Sequence, residues 1–447
     1  MTEMEGEGGA SSQELVQIRL IQDAVPDVAV WPPNWETAGA EYLYRRDKLL
    51  VRGDRETEVL DAFGSRGVEI IRDGYELEGV FRFDVTAPDD PEWRLPDEVD
   101  GIRRSREEDE DDVVPALSLD HLFYVCIHSC AAIEPVATYL HRAPIPRPSS
   151  GASGTGVKVL VIDNGLVEGA AQSHSWMHGV SGEFDPAGQN GVIPQDGGHG
   201  TFTSGCVRVT APGADVRVVN AARFLPPGSR SEEVGAAFDS DLALVLRAEL
   251  QGDERPDVVV LNFAGTTQGD IAPPALAVVH ANLIDGRQDL VVLSPAGNEG
   301  MALTTWPGAF PGVVSVGGLT DGAPLPDVED PSRYRSGAGV VRASWSNHGD
   351  TVDVYAPGDL LVNAYAAGSY TPTWDGQLNA PAIYFTGMSV WSGTSFSTPL
   401  VAGMVAARKS ASPQSSVRAA WDELAELAAR QPAPDAGPAL YPGQALD

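Results

Sequence analysis

Short, uninterrupted apolar runs recur along the second two-thirds of the chain, at residues 157–162, 216–219, 258–261, 290–293 and 313–316. Each is rich in Val, Leu and Ile, which is how strands buried on both faces read, and such strands belong to a parallel sheet covered by helices. Residues 239–250 and 274–284 carry apolar positions at helical spacing between those strands. The expected fold is therefore α/β, with a mostly parallel central sheet. Upstream the texture differs: strands are expected at 48–51, 68–71, 79–85 and 122–127 and a helix at 56–66, a small α+β unit.

A Pro/Ser/Gly-rich stretch, RAPIPRPSSGASGTG, separates the two textures. Its composition favours an extended linker. The expected organisation is a flexible acidic tail over residues 1–35, a small α+β domain over 36–141, a linker over 142–154 and the larger domain over 155–447. Arg103, Arg104 and Arg106 lead into six consecutive acids at 107–112, which read as a solvated surface insertion or a processing site.

Composition narrows the function classes. Hydrophobic residues make up 43% and charged residues 21%, ordinary for a globular chain. The net charge of -33 makes nucleic acid and anionic membranes poor partners. No apolar run reaches membrane-spanning length, and residues 1–13 are acidic and Gly/Ser-rich, unlike a signal peptide. Cys126, Cys130 and Cys206 are too few and odd in number for a disulfide framework, so a cytoplasmic location is expected. Cys126, His128 and Cys130 would share one face of a strand but fall short of a tetrahedral zinc set, and no metal site is expected.

The candidate chemistry lies at strand ends. In an open α/β sheet, ligands bind beyond the carboxyl ends of the strands. Here VKVLVIDNG ends on Asp163, DVVVLNFAG on Asn262 to Gly265, and DLVVLSPAGNEG on Asn298. His199 sits between glycines in GGHGT, and Ser395 opens an apolar helical stretch in SGTSFSTPLVAG. Nucleophilic acyl transfer needs a hydroxyl, a base to take its proton and a carboxylate to orient that base; Ser395, His199 and Asp163 supply the three. A serine at a helix start also has backbone N–H groups and the positive dipole end beside it.

Taken together and in this order, VIDNG, GHGTFTSG, PAGNEG, YAPG at 355–358 and GTSFSTPLVAG resemble the signature segments of the subtilases, over about residues 155–447. The resemblance implies a three-layer subtilisin-like domain and a serine endopeptidase acting on protein or peptide. Asp163, His199 and Ser395 would be its triad, with Asn298 and the Ser395 N–H as its oxyanion hole. It also implies that the small N-terminal domain acts as inhibitor and folding chaperone, unless it is a permanent accessory. An acyl transferase or peptide cyclase with the same triad, or a non-catalytic peptide-binding pseudoprotease, are the alternatives.

Departures from the family pattern bear on specificity. Asn164 replaces the usual Ser or Thr after the aspartate, and Asn262, Phe263 and Ala264 replace Ser-Leu-Gly on the substrate strand. Ser294, Pro295 and Ala296 would form the opposite pocket wall, Glu299 its rim and Thr305 its floor. A rim carboxylate would favour Arg or Lys in the substrate, the alternative being an ordinary solvated Glu. No cofactor is expected: residues 200–209 run almost directly into APGADVRVV, leaving no room for the calcium loop common in secreted relatives. Segments 322–342 and 368–390 exceed the family minimum and read as surface loops near the cleft.

Overall fold

The computed structural model describes residues 12–105, 114–125, 134–138, 152–221, 234–322, 339–373 and 380–442. The acidic run at 107–112, the residues Cys126, His128 and Cys130, and most of the expected linker lie outside these.

Over its described residues, 12–35, the expected tail is largely ordered. Helix α1 (Ser12–Ala24) and strand β1 (Val28–Trp31) occupy most of residues 12–31. The reason is an apolar face: Ile21, Ala24, Val25 and Val28 pack with Leu43, Leu122, Tyr124 and Phe238 in one buried cluster. Four apolar side chains spread over eight residues, from the end of α1 to the start of β1, are easily lost among the polar ones between them.

Behind this lies an α+β unit. It comprises β2 (Tyr42–Arg52), α2 (Glu56–Ser65), β3 (Glu69–Leu77), β4 (Val80–Thr86), α3 (Leu95–Arg104) and β5 (Leu117–Tyr124). Leu49, Val51, Phe63, Phe83 and Val99 fill its core. A short strand β6 (Val136–Ala137) follows, and the larger domain begins with β7 (Lys158–Asp163).

The larger domain supplies α4 (His199–Thr210), β8 (Asp215–Asn220), β9 (Ala236–Phe238), α5 (Asp239–Gln251), β10 (Val258–Leu261), α6 (Pro274–Leu283) and β11 (Val291–Pro295). These are followed by β12 (Val313–Thr320), β13 (Val354–Pro357), β14 (Leu361–Tyr370), β15 (Ile383–Trp391), α7 (Thr394–Ala411) and α8 (Val417–Ala429). Strands β12, β11, β10, β7 and β8 lie side by side and parallel, with β13 also parallel to β12.

Alternation along these strands builds the layers. Val159, Val161, Val258, Val260, Val291 and Leu293 face one core with α4, α7 and α8. Leu160, Ile162, Val259, Leu261 and Val292 face the other with α5 and α6. Each strand thus buries both faces, the condition that made its sequence read as an unbroken apolar run.

Two features differ from the sequence expectation and shape the cleft. The segment read as a surface loop at 368–390 contains most of β15, which pairs antiparallel with β14 and buries Phe385, Met388 and Val390. Its buried side chains are interleaved with exposed Tyr384 and Thr386, a strand period that a glycine-rich context had masked. The small unit also shares its sheet with the larger domain: β9 pairs antiparallel with β5, in the order β9–β5–β2–β4–β3.

That shared sheet is pinned by buried charges. Arg45 lies 3.1 Å from Asp120 and also pairs with Asp241, while Asp120 Oδ1 accepts the Ser240 N–H at 3.0 Å, in the first turn of α5. Asp239 accepts the Ala275 and Leu276 N–H groups at the start of α6. The Arg45–Asp241 pair and the Asp120–Ser240 hydrogen bond cross from one unit to the other, so their docking is held by polar contacts as well as by apolar area.

Candidate active site

Strand β7 delivers Asp163 to the carboxyl edge of the sheet, fully buried. Its two oxygens accept the Asn164 N–H at 2.8 Å, the Asn262 amide at 2.8 Å and the Thr203 hydroxyl at 3.1 Å, and they lie 2.9 and 3.0 Å from His199 Nδ1. His199 is the first residue of α4, and Gly200 explains how it comes so near: a Cβ there would run into the Gly165 carbonyl oxygen and Asn164 Oδ1. Asn164 completes the joint, its Oδ1 accepting the Gly200 N–H at 2.8 Å and its amide donating to the Asp196 carbonyl. The imidazole is packed by Trp391, edge-on at 5.2 Å, and Phe396 at 5.1 Å.

Phe396 is the neighbour of Ser395, so α7 brings the serine to the same place. Ser395 is 1% exposed, and its Oγ makes no hydrogen bond, to His199 included. Catalytic contacts of this kind often tighten only when substrate binds. Asn298 lies against the same helix start: its Oδ1 accepts the N–H and hydroxyl of Thr394, each at 2.9 Å, and its Nδ2 faces Gly393. The amide is thereby fixed with its donor end towards the residue before Thr394 and Ser395. The YAPG turn supports this loop, the Gly393 N–H donating to the Gly358 carbonyl at 2.9 Å; a Cβ on Gly358 would collide with Ser397 Oγ.

A model of the subtilase family matches residues 154–436. The chain belongs to the subtilase family. It is 26% identical to subtilisin E of Bacillus subtilis over 303 residues, 66% of this chain and 65% of that protein. It is also 26% identical to the subtilisin of Bacillus pumilus over 58% of this chain and 78% of that protein, and to an extracellular serine proteinase of a Thermus species over 57% and 51%. The match thus spans under two thirds of subtilisin E, and the family model leaves the residues of this subtilase before 154 unmatched.

Around this core, the expected pocket walls are rearranged. A cavity of about 630 Å³ is lined by Ala264, Gly265, Glu299, Met301 and Thr305, with Glu14 and Tyr124 contributed by the N-terminal unit. Ala264, Glu299 and Thr305 are among the residues proposed from the sequence for a specificity pocket. The other expected wall residues are elsewhere: Asn262 points at Asp163, Ser294 Oγ donates to the Phe263 carbonyl at 3.1 Å, and Phe263, Pro295 and Ala296 are buried in strand and core. Glu299 is no free surface acid, since Oε2 accepts the Asn347 amide at 2.5 Å and burial raises its pKa.

Sequence reasoning missed Thr203 and Thr394, which hold the aspartate and the asparagine. Both carried a signal: Thr203 is one helical turn from His199, on the same face of α4, and Thr394 precedes the serine. Among the described residues, no cluster of three or more His, Cys, Asp or Glu is placed to hold a metal ion, and no helix is long and apolar enough to cross a membrane.

Proposed function

We propose that this subtilase is a serine endopeptidase that works through an acyl-enzyme on Ser395. The observation that carries the reading is the buried Asp163–His199 contact set beside the first turn of α7. His199 Nε2 takes the Ser395 Oγ proton as Oγ attacks the scissile carbonyl, and Asp163 holds the ring with Nδ1–H inward and stabilises the imidazolium. The developing oxyanion is received by the Asn298 amide and the Ser395 backbone N–H. His199 then gives its proton to the leaving amine, and water, deprotonated by the same ring, releases the acyl group. Asn298→Ala is expected to lower kcat by about 10²–10³ with little change in KM. Steady-state kinetics on a peptide substrate check this, and an unchanged kcat would remove Asn298 from the oxyanion hole.

The N-terminal unit fits an inhibitor. Tyr124, at the end of β5, exchanges two backbone hydrogen bonds with Ala264, its N–H donating at 3.2 Å and its carbonyl accepting at 3.0 Å, as an extended peptide would. One group at this interface is sensitive to acid. His121 on β5 is 1% exposed, and its Nε2 accepts the Gln268 N–H at 3.0 Å. Burial, with the Arg103 guanidinium adding to it, pushes the imidazole down to about 3.

The sign follows. A folded-state pKa below the unfolded value of about 6.5 gives stability that is complete above pH 6.5 and lost as the pH falls towards 3, by about 1.4 kcal/mol per unit. Gln at this position accepts the same hydrogen bond without titrating. Relative to His121→Gln, both in a Ser395→Ala background to prevent self-cleavage, the parent is expected to lose stability at that rate below about pH 6.5. Denaturant titrations of the pair from pH 7 to 5 measure it; a difference that stays flat would mean His121 is not held neutral at the interface.

A further inference from the structure

Between its two units the chain makes contact on both sides of the reacting groups. On one side Tyr124 pairs with Ala264, and the Val125 N–H donates to the Gly235 carbonyl at 2.9 Å. On the other, β6 pairs antiparallel with the end of β15, Val136 opposite Val390 and Ala137 opposite Ser389. Trp391, the next residue of β15, sets its ring edge-on to His199 at 5.2 Å. In a peptide laid along the same path, the residues that replace Tyr124 and Val125 precede the cut bond, and those that replace residues 134–137 follow it.

The second contact holds a charged side chain. Glu134 is 6% exposed. Its Oε2 accepts the Tyr370 hydroxyl at 2.8 Å, its two oxygens accept the Thr373 N–H at 2.8 and 2.9 Å, and Oε1 also accepts the Thr373 hydroxyl. Gln195 stands behind the tyrosine: its amide donates to the Tyr370 oxygen at 2.7 Å, which leaves the hydroxyl proton for Glu134. Tyr370 and Thr373 thus both meet the carboxyl as donors.

The larger domain carries this cradle by itself. Tyr370 ends β14, Thr373 follows it closely, and Gln195 lies four residues before His199. Tyr370 and Thr373 are themselves buried, and buried donors without an acceptor are unfavourable, so a site vacated by Glu134 gains from another carboxylate. Burial raises the Glu134 pKa, and the Thr373 and Tyr370 hydrogen bonds pull it back towards the charged form. Asp196 is held protonated by burial and by its acidic neighbours Asp163, Glu134 and Asp185, so it sets no second negative charge against the site.

We infer that Tyr370, Thr373 and Gln195 form a carboxylate-binding subsite that selects an acidic residue on the C-terminal side of the cut bond. Glutamine is the informative competitor: it has the same size, but its NH₂ group would meet donors where Glu134 presents only oxygens. The inference rests on the endopeptidase reading and adds a substrate class to it: peptides with Glu in the leaving segment.

The test is a panel of peptides differing only by Glu or Gln at successive positions, cleaved by the active form of the chain, with the cut bond mapped by mass spectrometry. At one position C-terminal to the cut bond, kcat/KM for Glu should exceed that for Gln by about five- to tenfold, as expected when charge-assisted hydrogen bonds replace neutral ones. In Tyr370→Phe and in Thr373→Val, each of which removes one donor, that ratio should fall towards one; a merely structural role would lower both peptides alike and leave the ratio intact. A parent enzyme that cleaves but prefers Glu at no position after the cut overturns the inference without any variant, as does a ratio that survives in both variants. If no peptide is cleaved at all, the endopeptidase reading falls first and takes this inference with it.

Discussion

Ser395→Ala is expected to abolish peptide cleavage, lowering kcat by a factor on the order of 10⁶, while leaving the fold as stable as before. The two halves of this expectation have one cause. Ser395 Oγ is buried and makes no hydrogen bond, so its removal breaks no contact and relieves a desolvated hydroxyl. Chemically, however, it is the atom that would bond to the acyl carbon, and neither Thr394 nor Ser397 replaces it: Thr394 Oγ1 is engaged with Asn298 Oδ1, and Ser397 lies two residues further along α7. The Asn298 amide and the Ser395 N–H would persist in the variant and leave only a small residual rate. A kinetic assay and a thermal melt on the same preparation check both parts. Loss of activity accompanied by a large fall in Tm would point to a structural rather than a chemical role.

Asp163→Asn should behave in the opposite way, losing both activity and stability. The carboxylate accepts from Asn164, Asn262 and Thr203 and also faces His199 Nδ1, all in a site with no exposed surface. An amide has one accepting oxygen and one donating NH₂ group, so at least one of these donors would meet another donor. If the NH₂ faces His199, the imidazole is forced into the tautomer with Nε2 protonated, which cannot accept the serine proton; a loss of about 10⁴ in kcat follows. If it faces Asn262 or Thr203, buried donors go unpaired at about 1–3 kcal/mol. Turnover and denaturant midpoint should therefore fall together, and a variant within tenfold of the parent rate would show that Asp163 does not orient the base.

The contrast between the two variants tracks what could be read from the sequence. Asp163, His199, Asn298 and Ser395 were legible because chemistry restricts those positions to one residue type, and because glycines such as Gly200 and Gly358 betray where backbones must touch. The central strands were legible because burial on both faces leaves no polar position to confuse the period. The pocket walls were not. Whether Asn262 lines a pocket or grips Asp163 depends on which way one strand end turns, and residue type does not record that. Nor did α1 declare itself, since its apolar face exists only against β2, β5 and β9, which come from distant parts of the chain.

The most direct test of the account is labelling with a fluorophosphonate, which phosphonylates a serine activated by a base and an oxyanion hole. The account predicts a single adduct, located by peptide mapping on Ser395 and absent from Ser395→Ala. No adduct on the active form of the chain, or an adduct on another residue, would contradict it.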